Sequence, residues 1–473
     1  MRLDEIPEDI LRIMLACVNI YTVLSISRTN RFFHSLSGDR LVWVALVQSL
    51  HRRGFVNTET PLSISQMTQP ALVDLVKRMV LGPKCWRPPK HSSLSKSFSK
   101  LALGGQSSTQ KNVVEPSSQH VIHPDNVNLS KINEARLLSG GKYILLSNKV
   151  LECWNLEEDR LVWAHEPPST DWSVGAFAAD VLHGGEEANV ILYLFHWMLD
   201  GRAESQVEIL KLELCQGSST TLLCQAYPMS AESYGVERVG ICGSLAYASV
   251  SRFHPADGSY ARTAHTLYDW DSTSKPYLGL NSNRPFVIAL TAQHLVAFLD
   301  PPNHDGPELR VISLAGIRGS GYWSSAIEPN SVDITQFPTV TSTNITSGIT
   351  PSPPWLRTLY VHQSPLDEDV YRIWARWSGF DGKGVLSGYH MFVSPDVVLR
   401  PRIEFESPTD VSGSYAGHAL KRADEERYLV YAPGKNKPVA SLDLPGGTPL
   451  AHVSPYSGCV TYTEQVVRVL SFT

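Results

Sequence analysis

Residues that could do chemistry are few and widely separated in this chain of 473 residues. Asp269 and Asp271 stand two apart, as carboxylates do in metal-binding loops, but such a pair at a strand end more often makes a turn through side-chain to backbone hydrogen bonds. The run 316–321 is rich in glycine, yet it lacks the preceding strand and following helix that place a phosphate on a helix N-terminus. We therefore expect no catalytic residue, no cofactor and no metal, and a protein that is not an enzyme.

The cysteines and histidines support the same expectation. The seven cysteines are scattered, and no two are spaced as in a CxxC pair, so a zinc site or a disulfide framework is not predicted. No HExxH or GxSxG pattern occurs. His390, His418 and His452 are isolated in sequence, and we interpret each as a structural or surface histidine.

Composition limits the class of protein. A hydrophobic fraction of 42% with 18% charged residues is typical of a globular chain. The formal charge of −5 gives no signature of nucleic-acid binding, and no apolar run reaches the roughly 18 residues of a membrane-spanning helix. Charged residues interrupt any apolar core of a signal peptide at the N-terminus. We expect a cytoplasmic or nuclear protein with neither nucleic acid nor membrane as a partner.

The first 43 residues are predicted to form several short helices. Pro7 suits a first helical turn because the amide that it lacks would have no partner there, and Glu8 and Asp9 follow where the helix dipole favours negative charge. One apolar face then recurs at helical spacing, made by Ile10, Leu11, Met14 and Leu15. From periodicity alone, this face would pack against the rest of the chain.

The order of these features resembles an F-box. A hydrophobic residue and a proline at Ile6 and Pro7 precede an acidic pair and an apolar helix, the run 24–32 reads LSISRTNRF, and LVW closes the segment at 41–43. The resemblance implies a three-helix module that docks onto the Skp adaptor of an SCF-type cullin–RING ubiquitin ligase. The adaptor-binding residues that it implies are Ile6, Pro7, Ile10, Leu11, Met14, Val23, Leu24 and Trp43.

Two further segments follow the F-box-like residues 1–50. Residues 51–87 are predicted to be linker helices, of which the second has Pro70 in its first turn and ends at Gly82. Residues 88–120 are rich in serine and proline, which predicts a poorly ordered linker; a segment controlled by phosphorylation, or one that binds an acidic partner, is the alternative. The arrangement resembles that of F-box proteins from mushroom-forming fungi.

From residue 121 onward, short strands and turns alternate to residue 473. The runs 142–147, 150–156 and 161–164 recur about every ten residues, which predicts a sandwich, barrel or propeller. The region resembles a divergent WD-repeat β-propeller of about seven blades, with an insertion at 324–354; a pair of sandwiches is the alternative. The expected fold class is therefore α+β and multidomain: a small helical F-box and linker helices, then a large all-β domain.

The implied function is substrate recognition for the ligase, with the β-domain binding a target protein. Aromatic and arginine side chains supply most of the binding energy at protein interfaces. The candidate target-binding residues are Tyr322, Trp323, Trp355, Arg372 and Arg376. For each aromatic residue a role in the core is the favoured interpretation. Trp374 and Trp377 fall on opposite faces of a predicted strand, so at most one of them need be in the core. Two functions remain open: an interaction protein in a non-ligase complex, and an enzyme with its site in the propeller channel.

Overall fold

The computed structural model begins with a group of helices and continues with a large β-domain. It describes residues 6–56, 61–87, 113–124, 134–147, 149–198, 203–227, 233–254, 259–300, 307–325, 331–345, 354–379, 384–394, 396–406, 411–424, 427–433, 435, 437–444, 451–463 and 466–472. Most of the segment predicted to be a poorly ordered linker lies outside these residues. None of the helices within them has the length and apolarity needed to cross a membrane.

The described residues of the N-terminal part form six α-helices, and we call residues 6–56 and 61–87 the helical module. Their bounds are α1 Glu8–Ala16, α2 Ile20–Ile26, α3 Arg31–Ser37, α4 Arg40–Arg52, α5 Pro61–Gln66 and α6 Gln69–Leu81. Side chains at the helix starts explain these bounds, because Asn19 accepts from the Thr22 amide at 2.8 Å and Asn30 accepts from the Phe33 amide at 2.9 Å. Pro70 lies in the first turn of α6, as the sequence predicts, and Gly82 ends that helix with a φ of 68°.

The β-domain is a seven-bladed propeller, since the described strands form seven sheets with four antiparallel strands in each. Blade 1 consists of β2 Glu134–Leu137, β3 Tyr143–Ser147, β4 Leu151–Asn155 and β5 Arg160–Ala164, and blade 2 consists of β6 Ser173–Leu182, β7 Glu187–Trp197, β8 Ala203–Glu213 and β9 Ser218–Tyr227. Blade 3 consists of β10 Ser233–Cys242, β11 Leu245–His254, β12 Ser259–Asp269 and β13 Tyr277–Asn281. Blade 4 consists of β14 Phe286–Leu290, β15 His294–Leu299, β16 Glu308–Ser313 and β18 Thr339–Asn344. A short strand, β17 Val332–Asp333, adds to blade 3 in parallel with β13.

The ring of blades closes with a strand from the N-terminal side. Blade 5 consists of β19 Pro354–Gln363, β20 Val370–Gly379, β21 Gly384–Phe392 and β22 Val398–Glu406. Blade 6 consists of β23 Val411–Gly413, β24 Ala419–Arg422, β25 Arg427–Tyr431 and β26 Pro438–Asp443. Blade 7 consists of β27 Ala451–Val453, β28 Val460–Thr463 and β29 Val467–Ser471, with β1 Ser118–Ile122 as its outer strand. Strand β1 pairs antiparallel with β29, Ser118 opposite Ser471. The propeller therefore begins at residue 118, inside the range that the sequence assigned to the linker.

Both sheet faces of a blade are buried, and this corrects the expectation for two tryptophans. Trp374 and Trp377 lie on β20, and each is almost fully buried. The indole nitrogen of Trp374 donates to the Ser414 carbonyl of blade 6 at 3.1 Å, while Trp377 packs against Phe298 of blade 4. The expectation that at most one is in the core is wrong, because blades pack on each side of a propeller sheet.

The insertion lies earlier than the sequence suggests. The chain between β16 and β18 holds a short helix, α7 Leu314–Arg318, and the strand β17, and Thr339–Asn344 is the outer strand of blade 4. Strands are therefore present within 324–354, where no strand was predicted from the sequence. The run 316–321 overlaps α7, and its Arg318 pairs with Asp269 at 2.9 Å, so both of these motifs have structural roles.

A buried histidine connects blades 3 and 4. His265 accepts a hydrogen bond from the Ser249 hydroxyl at Nδ1 (2.6 Å) and donates from Nε2 to the Phe286 carbonyl of blade 4 (3.1 Å). Burial in this site lowers the pKa of His265 to about 3, because the charged imidazolium would lose its hydration. The neutral ring is therefore part of the contact between the two blades.

The low pKa of His265 predicts how stability depends on pH. Between about pH 6.5 and 3 the unfolded chain binds a proton that the folded chain does not, so this group lowers the free energy of unfolding as the pH falls through that window. We expect His265→Gln to have a lower free energy of unfolding than the parent protein at pH 7.5. On acidification through this window, the free energy of unfolding of the variant should fall by about 1.4 kcal/mol per pH unit less than that of the parent protein, measured by urea unfolding.

The matched control is His120→Gln, since His120 is exposed on β1. This variant should keep the acid sensitivity of the parent protein. If the free energy of unfolding of His265→Gln depends on pH as strongly as that of the parent protein, the role given to neutral, buried His265 is contradicted.

Candidate functional site

One surface of the helical module exposes large apolar side chains. Ile10, Ile13 and Met14 stand on the outer side of α1 with 49%, 61% and 47% of their surface open. Tyr21 and Leu24 of α2 are also exposed. We call these five residues the α1–α2 face. Their spacing of three and four residues places them on one side of each helix, as in helices that bind a partner groove.

The opposite sides of the same helices form the interior of the module. Leu11 of α1 and Val23 of α2 are buried in one cluster with Trp43 of α4. The Trp43 indole also donates to the Ser37 carbonyl at 2.9 Å, which ties α4 to the end of α3. These three residues hold the module together and present little surface to a partner.

The predicted adaptor residues therefore fall into two groups. Ile10, Met14 and Leu24 are exposed on the α1–α2 face, Pro7 is exposed just before α1, and Ile6 is partly buried against the interior. The other three are the interior residues described above. The sequence missed Ile13 and Tyr21, although the helical spacing from Ile10 and Leu24 could have found them.

Charged side chains of both signs lie near the α1–α2 face, since Glu8 and Asp9 begin α1. Residues 10–38 contain three arginines and no carboxylate. Arg12 is neutralised by Glu8, Asp9 and Asp39, with N–O distances of 2.7 to 2.9 Å. Arg28 and Arg31 are exposed at the α2–α3 turn. The apolar face thus has exposed positive charge at the α2–α3 turn, which suits acidic residues of a partner at that position.

The residues after α4 fix the module on the propeller. The Arg53 guanidinium donates to the Ser364 carbonyl at 2.7 Å and stacks over the Phe55 ring at 4.7 Å. The Phe55 ring meets Tyr456 edge-to-face at 4.7 Å, and the Tyr456 hydroxyl donates to the Gln363 carbonyl at 2.9 Å. These contacts join the module to the hairpin of blade 5 and to blade 7.

Close approach of the two parts depends on glycines in the propeller and the module. Gly184, in the β6–β7 turn, has a φ of 74°, and a Cβ there would stand 2.5 Å from the His51 ring of α4. Gly82 has a φ of 68°, and a Cβ there would stand 2.7 Å from the His418 ring of blade 6. Larger residues would push the helices away from the blades. The module therefore covers the end of the propeller at which the first and second strands of each blade are connected.

Beneath the module, a cavity of about 450 Å³ lies on the propeller axis. Its walls come from the first strand of each blade, and Arg53, Phe55 and Tyr456 border it on the module side. Burial raises the pKa of Asp180 to about 6, although the Gly243 amide donates to this carboxylate at 2.8 Å. Burial also lowers the pKa of His362 to about 4.

The titratable groups do not assemble a catalytic site in the part of the chain that the structure describes. Ser249 and His265 are within hydrogen-bonding distance, as a nucleophile and its base would be, but both are buried and the second ring nitrogen is bonded to a carbonyl. His165 and Glu208 form another buried pair at 2.8 Å. Within the described residues, no three His, Cys, Asp or Glu side chains come together in a way that could hold a metal ion.

The candidate target-binding residues do not form one exposed surface. Tyr322 is exposed and touches Phe337 edge-on. Trp323 is buried, and its indole donates to the Ile317 carbonyl at 2.9 Å. Arg376 is buried, and the side chain of Trp355 lies outside the described residues.

Arg372 is the fifth of these candidates, and it is partly buried. Its guanidinium lies 5.3 Å from the Tyr415 ring and bonds His390 at 2.7 Å. Of the described side chains among the five, Tyr322 is the one that is largely open to a partner.

Comparison with known proteins gives only remote likeness. No protein-family model and no curated protein matches the sequence. Among solved structures, the β-propeller domain of Cps50 (Swd1) from Myceliophteria thermophila is 12% identical, with a TM-score of 0.47 over 75% of this chain and 100% of that chain. The WD40 domain of SCAP from fission yeast is also 12% identical, with a TM-score of 0.40 over 72% and 85%. The propeller assignment rests on the seven sheets.

The Phe55 contact can be tested by mutation. We expect Phe55→Ala to lower the free energy of unfolding by about 3 kcal/mol, because it removes a buried ring from between the module and Tyr456. Urea unfolding of the full chain measures this loss. Phe32→Ala is the matched control, since Phe32 is exposed on α3, and it should cost less than about 1 kcal/mol. Equal losses in the two variants would contradict the role given to Phe55.

Proposed function

We propose that this protein is a substrate-recognition subunit of an SCF-type cullin–RING ubiquitin ligase. The helical module binds the Skp-type adaptor, and the propeller binds a target protein. The ligase then acts by bringing the target close to the ubiquitin-loaded enzyme, so this chain needs no catalytic residue. The observation that carries the proposal is the α1–α2 face, which lies within the segment that resembles an F-box.

The apolar character of this face supports binding to a partner. α1 and α2 already bury one side in the module, so the exposed Ile10, Ile13 and Met14 are not needed to complete its core. Their spacing makes these three side chains neighbours on α1, and a cluster of exposed apolar side chains marks an interaction site. Each large side chain buried in an adaptor groove would contribute about 1.5–3 kcal/mol. The exposed Arg28 and Arg31 would favour acidic residues on the rim of that groove.

The orientation of the module suggests where the target binds. The module occupies the end of the propeller that carries the turns between first and second strands, such as the β6–β7 turn at Gly184. The other end carries the connections between blades, including residues 165–172 and 282–285. A target protein that binds there would not compete with the adaptor for space.

A module of this kind could also serve in a complex that is not a ligase. The α1–α2 face would be used in the same way, so finding cullin in the purified assembly separates the two functions. An enzyme with its site in the channel is the third function considered. The pairing of Ser249 and His265 in the interior gives it no support, because a substrate could not reach these side chains.

The adaptor assignment is tested by charge substitution on the α1–α2 face. We expect Ile10→Arg and Met14→Arg each to weaken binding of the full chain to a purified Skp-type adaptor by at least about 100-fold, because an arginine would be buried without a counter-ion. Both side chains are exposed in the free protein, so the melting temperature should change little. Binding is measured by calorimetry or co-purification.

Leu81→Arg is the matched control, since Leu81 is an exposed leucine at the end of α6, outside the α1–α2 face. It should leave adaptor binding intact. If Ile10→Arg and Met14→Arg still bind the adaptor, or if Leu81→Arg loses adaptor binding to the same degree, the α1–α2 face is not the adaptor-binding surface.

A further inference from the structure

The channel cavity holds a group of hydrogen-bond donors that the proposed ligase function does not use. Arg136 of blade 1, Tyr247 of blade 3 and Tyr360 of blade 5 all line this cavity. They come from β2, β11 and β19, so the ring of blades brings together side chains that are far apart in sequence.

Arg136 lies in the channel and has guanidinium N–H donors that are not bonded to Glu134. Ala135 and Leu137 of β2 are buried in the cluster between blades 1 and 7, so alternation directs Glu134 and Arg136 to the other side. The Arg136 guanidinium gives one bond to Glu134, from Nη2 to Oε1 at 2.6 Å, and lies 5.2 Å from the Phe177 ring of blade 2. Its side chain is still 43% open, which leaves other N–H groups to face the cavity.

Tyr247 reaches the channel over a glycine. It pairs with Gly240 of the inner strand β10, and a Cβ on Gly240 would stand 2.3 Å from the tyrosine ring. Tyr360 is on an inner strand itself and is 38% exposed. Within the described residues, neither hydroxyl has a protein hydrogen-bond partner. Both phenols can therefore donate to a ligand in the cavity.

A second arginine adds positive charge at this level of the channel. Arg238 of β10 donates from Nη2 to the Thr358 hydroxyl of β19 at 3.0 Å, a bond between the inner strands of blades 3 and 5. Thr358 is neutral, so this bond does not neutralise the arginine charge. Its charge acts on Tyr247 together with that of Arg136. The guanidinium groups of Arg136 and Arg238 thus lie near Tyr247, and the carboxylates that line the cavity are Glu134 and Asp180.

We propose that the channel cavity binds a small anionic ligand, whose carboxylate or phosphate group is held by Arg136, Tyr247 and Tyr360. Arginine and hydroxyl donors are the groups that proteins use for such anions. The cavity volume of about 450 Å³ lies within the range of small-molecule sites. The ligand is a small molecule, since the helical module covers one end of the channel and would block a chain from passing through.

The test uses the full chain and two probes at constant ionic strength, inorganic phosphate and succinate. Either probe should raise the melting temperature with increasing concentration, as a ligand of the folded state does. Binding of phosphate alone indicates a phosphate-bearing ligand, and binding of succinate alone indicates a carboxylate. No shift with either probe, relative to chloride, would overturn the proposal.

Two variants and one control assign the site. Arg136→Gln should weaken binding of the responsive probe by about tenfold or more, and Tyr360→Phe should weaken it by about threefold, in calorimetric titrations. Arg160→Gln is the matched control, because Arg160 also pairs with a glutamate two residues away, Glu158, but on the outer strand β5. Equal affinity in Arg136→Gln, Tyr360→Phe and the parent protein would place binding elsewhere and refute the site.

Discussion

The pairing of β1 with β29 is the constraint on which the rest of the structure depends. A propeller sheet buries both faces against its neighbours, so an open ring would leave a blade with one face in water. The chain closes the ring with Ser118–Ile122, and the Ser117 amide extends the ladder by donating to the Ser471 carbonyl at 2.8 Å. The strand that closes the ring is therefore the first strand after the helical module among the described residues.

The module is fixed in place by packing at several points around one end of the ring. Trp86 is buried between blades 6 and 7, near His418 and Phe472. Phe55 lies against Tyr456, and the Tyr21 amide donates to the Leu366 carbonyl of blade 5 at 3.1 Å. Because the inner side of the module packs against the propeller, the outer sides of α1 and α2 are the ones that a partner can bind. The two binding surfaces that we propose thus lie at opposite ends of one packed unit.

Local sequence signals predicted the helices and the blade architecture, whereas burial depended on distant parts of the chain. Pro70 and Gly82 mark α6 correctly, and the Trp-Asn pair at Trp154 falls at the end of the third strand of blade 1. The expected docking residue Leu11 is instead in the interior, because periodicity defines a face without telling which side it meets. The channel group could not be predicted, since Arg136 and Tyr360 are brought together only when the ring closes.

The central claim is that a Skp-type adaptor binds the α1–α2 face while the propeller keeps its other end free. Hydrogen–deuterium exchange of the full chain, with and without the adaptor, tests it most directly. The account predicts slower exchange in Glu8–Ala16 and Ile20–Ile26 and unchanged exchange in the blades. Protection confined to the blades, or no protection in α1 and α2 when the complex is saturated, would contradict it.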